Sequence, residues 1–483
     1  MPRPTFDWST VRERSAFHGL DRRAVTGTDL IAHSIAVVCP SASALGVAFG
    51  LPFLVGPGAW LSVVIGVGIS LLLAAAFSEF ASRFTASGSL YTYVAKGLGP
   101  AAALVVGGAL VLGYLTLVVS CLVVAGRRTS TGVETMTGSA PPTMLLWLVF
   151  AGGALACLAI LYAGVRWSTR VALATESVVL TLLLVILVTL SIRHGLPGLG
   201  ALSLEGASWS RILVGAASVM TITMGFESAA TLAVEAERPY LTVPRSMRVS
   251  VTLTGVLFLL GVLVSSATDG TAHGHWFFPG QEQSVVDGLA RLVTAAAELA
   301  CALGAWVAVS RLLFCFAREG LLPAALGRTV RRTGSPFLAA LVCAPFVAVV
   351  PLAAWLRGGD PTRISGDLLV SATLMLFVGY ALACVAVVPF LGRLGELRGR
   401  DVIVAATAVL GVVTMTVIEV REDLLEGSVA SMVVLAGVVA AGLGWLVLLR
   451  RTSPGTVARI GTHEGPLRAD VLLPEEPVAW RPR

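Results

Sequence analysis

Apolar runs long enough to cross a bilayer recur along this chain, and no other feature constrains its fold as strongly. A spanning helix needs roughly 20 mostly apolar residues. Twelve stretches qualify: Thr28–Phe53, Trp60–Phe84, Pro100–Ala125, Met144–Gly164, Thr169–Ile192, Ile212–Ala236, Met247–Ala267, Leu292–Arg318, Phe337–Leu356, Leu368–Leu391, Val402–Val420 and Ala430–Leu449. With 56% hydrophobic and 13% charged residues among 483, too little polar surface is left to cover a water-soluble globule. The expected class is an all-α polytopic membrane protein of twelve transmembrane helices. One bundle takes residues 26–450, after a polar segment at 1–25 and before a polar, Pro-bearing tail at 451–483 that reads as unstructured.

An even number of spans puts both ends on one side, and charge says which. Of the 34 Lys and Arg residues, 26 fall on the side of the termini and 8 on the other. By the positive-inside rule both ends are expected to be cytoplasmic, in the cytoplasmic (inner) membrane. The net charge of +6 is therefore a topology signal and implies no nucleic-acid partner. The first 25 residues carry no pattern of a cleavable leader. Trp60, Trp209 and Trp276 fall at segment ends, as interfacial anchors do. The seven cysteines lie inside apolar runs without paired spacing and read as buried hydrophobes. His273 and His275 read as an exposed loop, so neither metal nor cofactor is expected.

Two segments look interrupted. In the first, SIAVVCPSASALG places Pro40 near mid-span, with Ser41, Ala42 and Ser43 beside it. Pro removes a helix hydrogen bond and crowds the preceding turn. In the sixth, TITMGFESAA places Gly225 at a similar depth. Interruptions five segments apart are what an inverted five-plus-five repeat predicts, with a binding site at the midplane between them. A broken helix exposes N–H groups at the start of one half and C=O groups at the end of the other. A carboxylate suits the first and an ammonium the second. An α-amino acid carries both.

At these residues the sequence resembles the amino acid/polyamine/organocation superfamily of permeases. The resemblance rests on AFSEFASRFTASGSLYTYVAKGLGP (76–100), GFESAATLAVEAERPYLTVPRSM (225–247) and SRLLFCFAREGLLPAALGRTVRRTGSPFLAAL (310–341), and extends over roughly residues 25 to 450. It implies the inverted-repeat transporter fold, ten core helices plus two, with alternating access and a short helix after span 2. Carried over residue by residue, it implies substrate binding at Cys39, Pro40, Ser41, Ala42 and Ser43, and at Thr221, Ile222, Thr223, Met224, Gly225 and Phe226. Many members have a glycine-rich run where this chain has Pro-Ser-Ala-Ser, which changes the backbone offered at the first break. Thr221 and Thr223 stand where some exchangers carry aromatic gates, which counts against arginine or agmatine as substrate.

Acids inside a membrane are usually functional. Glu176, in ATESVVL, and Glu227, just past Gly225, are the candidate proton-coupling groups; for Glu227 a helix-capping, structural role is equally open. Glu235, Glu237 and Arg238 read as solvated charges that end the span, and Glu298 as either half of a structural pair or a functional group. Sodium would want hard oxygen ligands from span 8, where LACALGAWVAVSR offers only Ser310. The expected function is secondary active transport of amino acids coupled to protons. An amino acid or polyamine exchanger is the alternative. A membrane-embedded enzyme is disfavoured because the loops are short and poor in catalytic groups, so no catalytic residue is assigned.

Overall fold

The computed structural model describes residues 16–195, 197–266, 285–425 and 427–463. His273, His275 and Trp276 lie outside the described residues. Twelve apolar helices occur among those described. We number them α1 (Gly27–Val38, resuming as Pro40–Val55), α2 (Ala59–Ala81), α3 (Pro100–Thr137), α4 (Met144–Ala163), α5 (Val165–His194), α6 (Trp209–Thr223, resuming as Phe226–Glu235), α7 (Pro239–Ser266), α8 (Val285–Glu319), α9 (Phe337–Leu356), α10 (Pro361–Leu394), α11 (Gly399–Leu425) and α12 (Ala430–Thr452). A short helix, Leu90–Leu98, follows α2 as the resemblance implied.

Local chemistry sets the helix starts. Thr26 and Asp29 form a reciprocal capping box at α1, with Thr26 N–H on Asp29 Oδ2 at 3.0 Å and Asp29 N–H on Thr26 Oγ1 at 3.2 Å. Pro40, Pro100 and Pro361 each open a helix, where the missing N–H costs nothing. Several helices outrun their apolar runs. α3 continues from Ala125 to Thr137 and takes in Arg127, Arg128 and Glu134, while α10 begins at Pro361 rather than Leu368. Hydropathy marks where a helix leaves hydrocarbon; hydrogen bonding carries it on into the interface.

The fold is an inverted five-plus-five repeat with two added helices. If α1–α5 and α6–α10 are equivalent, helix pairs should occur in matched sets, and they do. α3 packs on α8, its own equivalent. The packing of α1 on α7 is matched by α6 on α2, and that of α3 on α10 by α8 on α5. Burial separates the layers. In the most apolar 18-residue stretch of α1, α3 and α6, 78% of residues are buried, rising to 89% in α8, against 22–33% in α4, α5, α9, α11 and α12. α2, α7 and α10 are intermediate at 50–61%, so the inner four form the centre with these three packed around them, and the remaining five make the rim.

The face that carries the termini is closed by chain segments. Val25 lies beside Ala236 as a single β-bridge, with Val25 N–H on Glu235 O and Glu237 N–H on Val25 O, both at 3.0 Å. Glu235 is not solvated as its sequence position suggested. It is buried with Arg311 of α8, which grips it through Nε at 3.1 Å and Nη2 at 3.3 Å. Glu237 and Arg238, one turn on, are exposed. The segment after α12 is described to His463 and is docked there. Gly461 and Thr462 donate their N–H groups to Glu319 Oε1 at 3.0 and 2.7 Å, and Tyr91 donates its hydroxyl to Glu319 Oε2.

Candidate functional site

Both breaks are real and they face each other. Cys39 adopts a left-handed conformation (φ 52°, ψ 51°) and separates the two halves of α1. The break thus falls one residue before Pro40, which serves as the first residue of the new half. In α6, Met224 is extended and Gly225 left-handed (φ 93°). Beyond it the ten residues from Phe226 to Glu235 form a 3₁₀-helix, every one of them buried. Such runs are normally shorter than four or so residues. Here the small side chains Ser228, Ala229 and Ala230 let neighbouring helices close on the tighter coil. Ser34 Oγ donates to Phe226 O at 2.8 Å, joining the first half of α1 to the second half of α6.

Between the breaks and the face opposite the termini lies a cavity of about 380 Å³. Its floor includes Cys39, Ala42 and Ser43 from the first break and Thr221, Ile222 and Met224 from the second. The walls are largely apolar, with Val37, Val38, Leu117 and Leu369. On α3, Leu117, Ser120, Cys121, Val124 and Arg128 follow three- and four-residue spacing, so one helix face lines the cavity for roughly 16 Å. Arg127, Arg128, Glu298 and Thr362 stand at the far end. Glu298 is paired there with Arg128 at 3.0 Å. Arg127 reaches only Thr362 Oγ1, at 3.4 Å, and its buried Nε has no partner among the described residues.

The remaining sequence candidates sit behind this surface. Ser41 Oγ donates to Glu176 Oε2 at 2.6 Å, tying the second half of α1 to α5. Glu176 is buried, and its Oε1 has no partner among the described residues. Thr223 shares a hydrogen bond with Ser70 of α2 at 2.9 Å. Phe226 stacks on Phe77 with ring centroids 6.0 Å apart. The Gly225 N–H donates to the Tyr380 hydroxyl oxygen at 3.0 Å. Glu227 is fully buried and accepts two phenolic O–H groups, Tyr114 from α3 at 2.6 Å and Tyr380 from α10 at 2.5 Å. Neither Glu176 nor Glu227 lines the cavity.

Sequence reasoning passed over the two tyrosines, left Glu298 without its partner Arg128, and read Cys121 and Cys301 only as buried hydrophobes. Tyr114 and Tyr380 sit 113 and 153 residues from Glu227, beyond any local pattern. The one available signal was that a carboxylate in a membrane must find donors somewhere.

The amino acid permease family matches residues 34–418 of the chain. The chain belongs to that family. Among relatives, it is 23% identical over 312 residues to the branched-chain amino acid permease BcaP of Bacillus subtilis (strain 168), covering 59% of this chain and 65% of that protein. It is 33% identical over 127 residues to the branched-chain amino acid permease BcaP of Lactococcus lactis subsp. cremoris, covering 25% and 27%. The chain thus spans just under two thirds of the first permease and about a quarter of the second. The cationic amino acid transporter 4, vacuolar, of Arabidopsis thaliana is 27% identical over 372 residues, covering 69% and 58%. Among solved structures, a mutant of the Eremococcus coleocola manganese transporter superposes with a TM-score of 0.47 at 14% identity, covering 90% of this permease chain and 94% of that one.

Proposed function

We propose that this permease is a secondary active transporter of neutral aliphatic α-amino acids, working by alternating access in the cytoplasmic membrane with both termini in the cytoplasm. The observation that carries this is one cavity floored by both helix breaks and walled by Val37, Val38, Leu117 and Leu369. Its 380 Å³ lies at the small end of the 300–1,000 Å³ range of ligand pockets, a fit to a single amino acid. The breaks would receive the ammonium and carboxylate through backbone groups of Cys39–Ser43 and Thr221–Phe226, and the apolar wall the side chain. The names of the two BcaP relatives favour the same substrate class.

Coupling is assigned to protons, through Glu176. Its unpartnered Oε1 is the oxygen a transported proton would occupy, and Ser41 Oγ links the carboxylate to the α1 break. Glu227, with a phenol on each oxygen, is a positioning group in this reading and not the proton carrier. The test is uptake of labelled leucine, alanine, arginine, glutamate and putrescine into proteoliposomes, without sodium and with or without an inward proton gradient. Gradient-stimulated leucine uptake, lost in Glu176→Gln while counterflow exchange persists, is the expected result. Uptake only into preloaded vesicles would make the protein an exchanger and remove the proton role of Glu176.

A further inference from the structure

Two thiols meet across the cavity wall, and the transport reading has no use for either. Cys121 of α3 and Cys301 of α8 both line the cavity, and their sulfurs lie 3.3 Å apart, with Cys121 Sγ–H directed at Cys301 Sγ. Cys301 Sγ–H in turn donates to Val37 O at 3.1 Å, the second-last residue of the first half of α1. All seven cysteines are free thiols, and among the described residues this is the one pair whose sulfurs are in hydrogen-bonding contact.

We infer that Cys121 and Cys301 form an oxidant-sensitive modification site inside the cavity, closing to a disulfide that arrests the protein. A disulfide needs about 2.05 Å between sulfurs, so the pair at 3.3 Å must close by a little over 1 Å. The cavity gives a small oxidant a route to two otherwise buried groups. With a peroxide as oxidant, one thiolate attacks a peroxide oxygen and the O–O bond breaks. The second thiol then attacks the sulfur of the resulting sulfenic acid, breaking its S–O bond and expelling the hydroxyl as water, which forms the S–S bond. Two thiol protons and two electrons leave with the peroxide oxygens as two waters.

The reaction has a structural cost at the break. It consumes the S–H that satisfies Val37 O and ties α3 to α8, two of the four inner helices. The expected effect is loss of transport, reversed by a dithiol reductant.

The test counts thiols in the full-length protein in lipid nanodiscs, treated with hydrogen peroxide, quenched and then unfolded. Seven reactive thiols should become five, with peptide mapping placing one crosslink between Cys121 and Cys301. Cys301→Ser keeps an O–H donor for Val37 and should show six thiols before and after. Cys121→Ala is the second control if that variant does not fold. Retention of all seven thiols, loss at other cysteines, or separate oxidation of Cys121 and Cys301 without a crosslink would each overturn the inference. In proteoliposomes, oxidised wild type should lose leucine uptake and regain it with dithiothreitol, while the uptake of Cys301→Ser, whatever its level, should be the same before and after peroxide. A crosslinked protein that still transports would sink the arrest. This transport arm rests on the proposed function. Absence of leucine uptake in the reduced protein would count against that function and leave the thiol count standing.

Discussion

Glu227 illustrates what one buried carboxylate can hold together. Its two oxygens take hydroxyls from α3 and α10, and the Tyr380 hydroxyl also accepts the Gly225 N–H. Tyr380→Phe removes two interactions and Tyr114→Phe only one. Hydrogen bonds to charged groups contribute about 1.5–3 kcal/mol each, and neutral ones about 1 kcal/mol. Thermal unfolding in detergent should rank Tyr380→Phe as the more destabilised, and equal shifts would refute the shared clamp. Glu235 and Arg311 are a stricter case, 1% exposed each. Breaking such a pair from one side leaves an uncompensated charge and costs about 3–5 kcal/mol. Arg311→Ala should thus be poorly folded, with Arg311→Ala/Glu235→Ala recovering part of the loss, measured by the monodisperse fraction on size exclusion. The acids themselves were visible in the sequence because charge inside an apolar run stands out. Their partners were not, since a tyrosine or arginine elsewhere in the chain carries no mark of where it will pack.

At the scale of elements, the two interruptions were legible because Pro and Gly have local causes and effects. Their form was not. Pro40 looks like a breaker, yet it starts a helix, and the left-handed residue is Cys39, which no propensity would select. The 3₁₀ coil of Phe226–Glu235 was equally hidden, since α and 3₁₀ turns of so apolar a run differ only in how closely neighbours press. Gly225 is held twice over. Its φ of 93° is costly for other residues, and a Cβ there would meet Val37 Cγ1 at 2.5 Å. Gly225→Ala should lower the melting temperature and abolish uptake, the backbone alone costing about 1–2 kcal/mol. Adding Val37→Ala should recover only the steric part. Full recovery would mean that backbone strain at this position is negligible.

For the whole molecule, twelve spans and an internal repeat follow from hydropathy and from the offset between breaks, because lipid imposes length on every helix alike. The sequence could not say which helices are inner and which are rim. α4 and α8 are both apolar, yet 28% and 89% of their most apolar stretches are buried, and only packing separates them. Orientation rests on the uneven split of 26 and 8 basic residues. With Arg331→Cys and Arg357→Cys introduced separately into a cysteine-free background, an impermeant maleimide added to intact cells should label position 357 and spare position 331. Both are exposed, so the reverse pattern would invert the topology.

The docked stretch beyond α12 bears on where this polypeptide can be shortened. Gly461 has φ 83°, and a Cβ there would lie 2.5 Å from Ala95 Cβ, so this turn fits its berth beside the Leu90–Leu98 helix only with glycine at that position. A version ended after Thr452 keeps every apolar helix but strips two N–H donors from Glu319, leaving a buried acid to the Tyr91 hydroxyl and the weak Cys315 thiol donor. Ending after His463 keeps both donors. For anyone trimming the chain to obtain crystals, those eleven residues belong to the membrane domain.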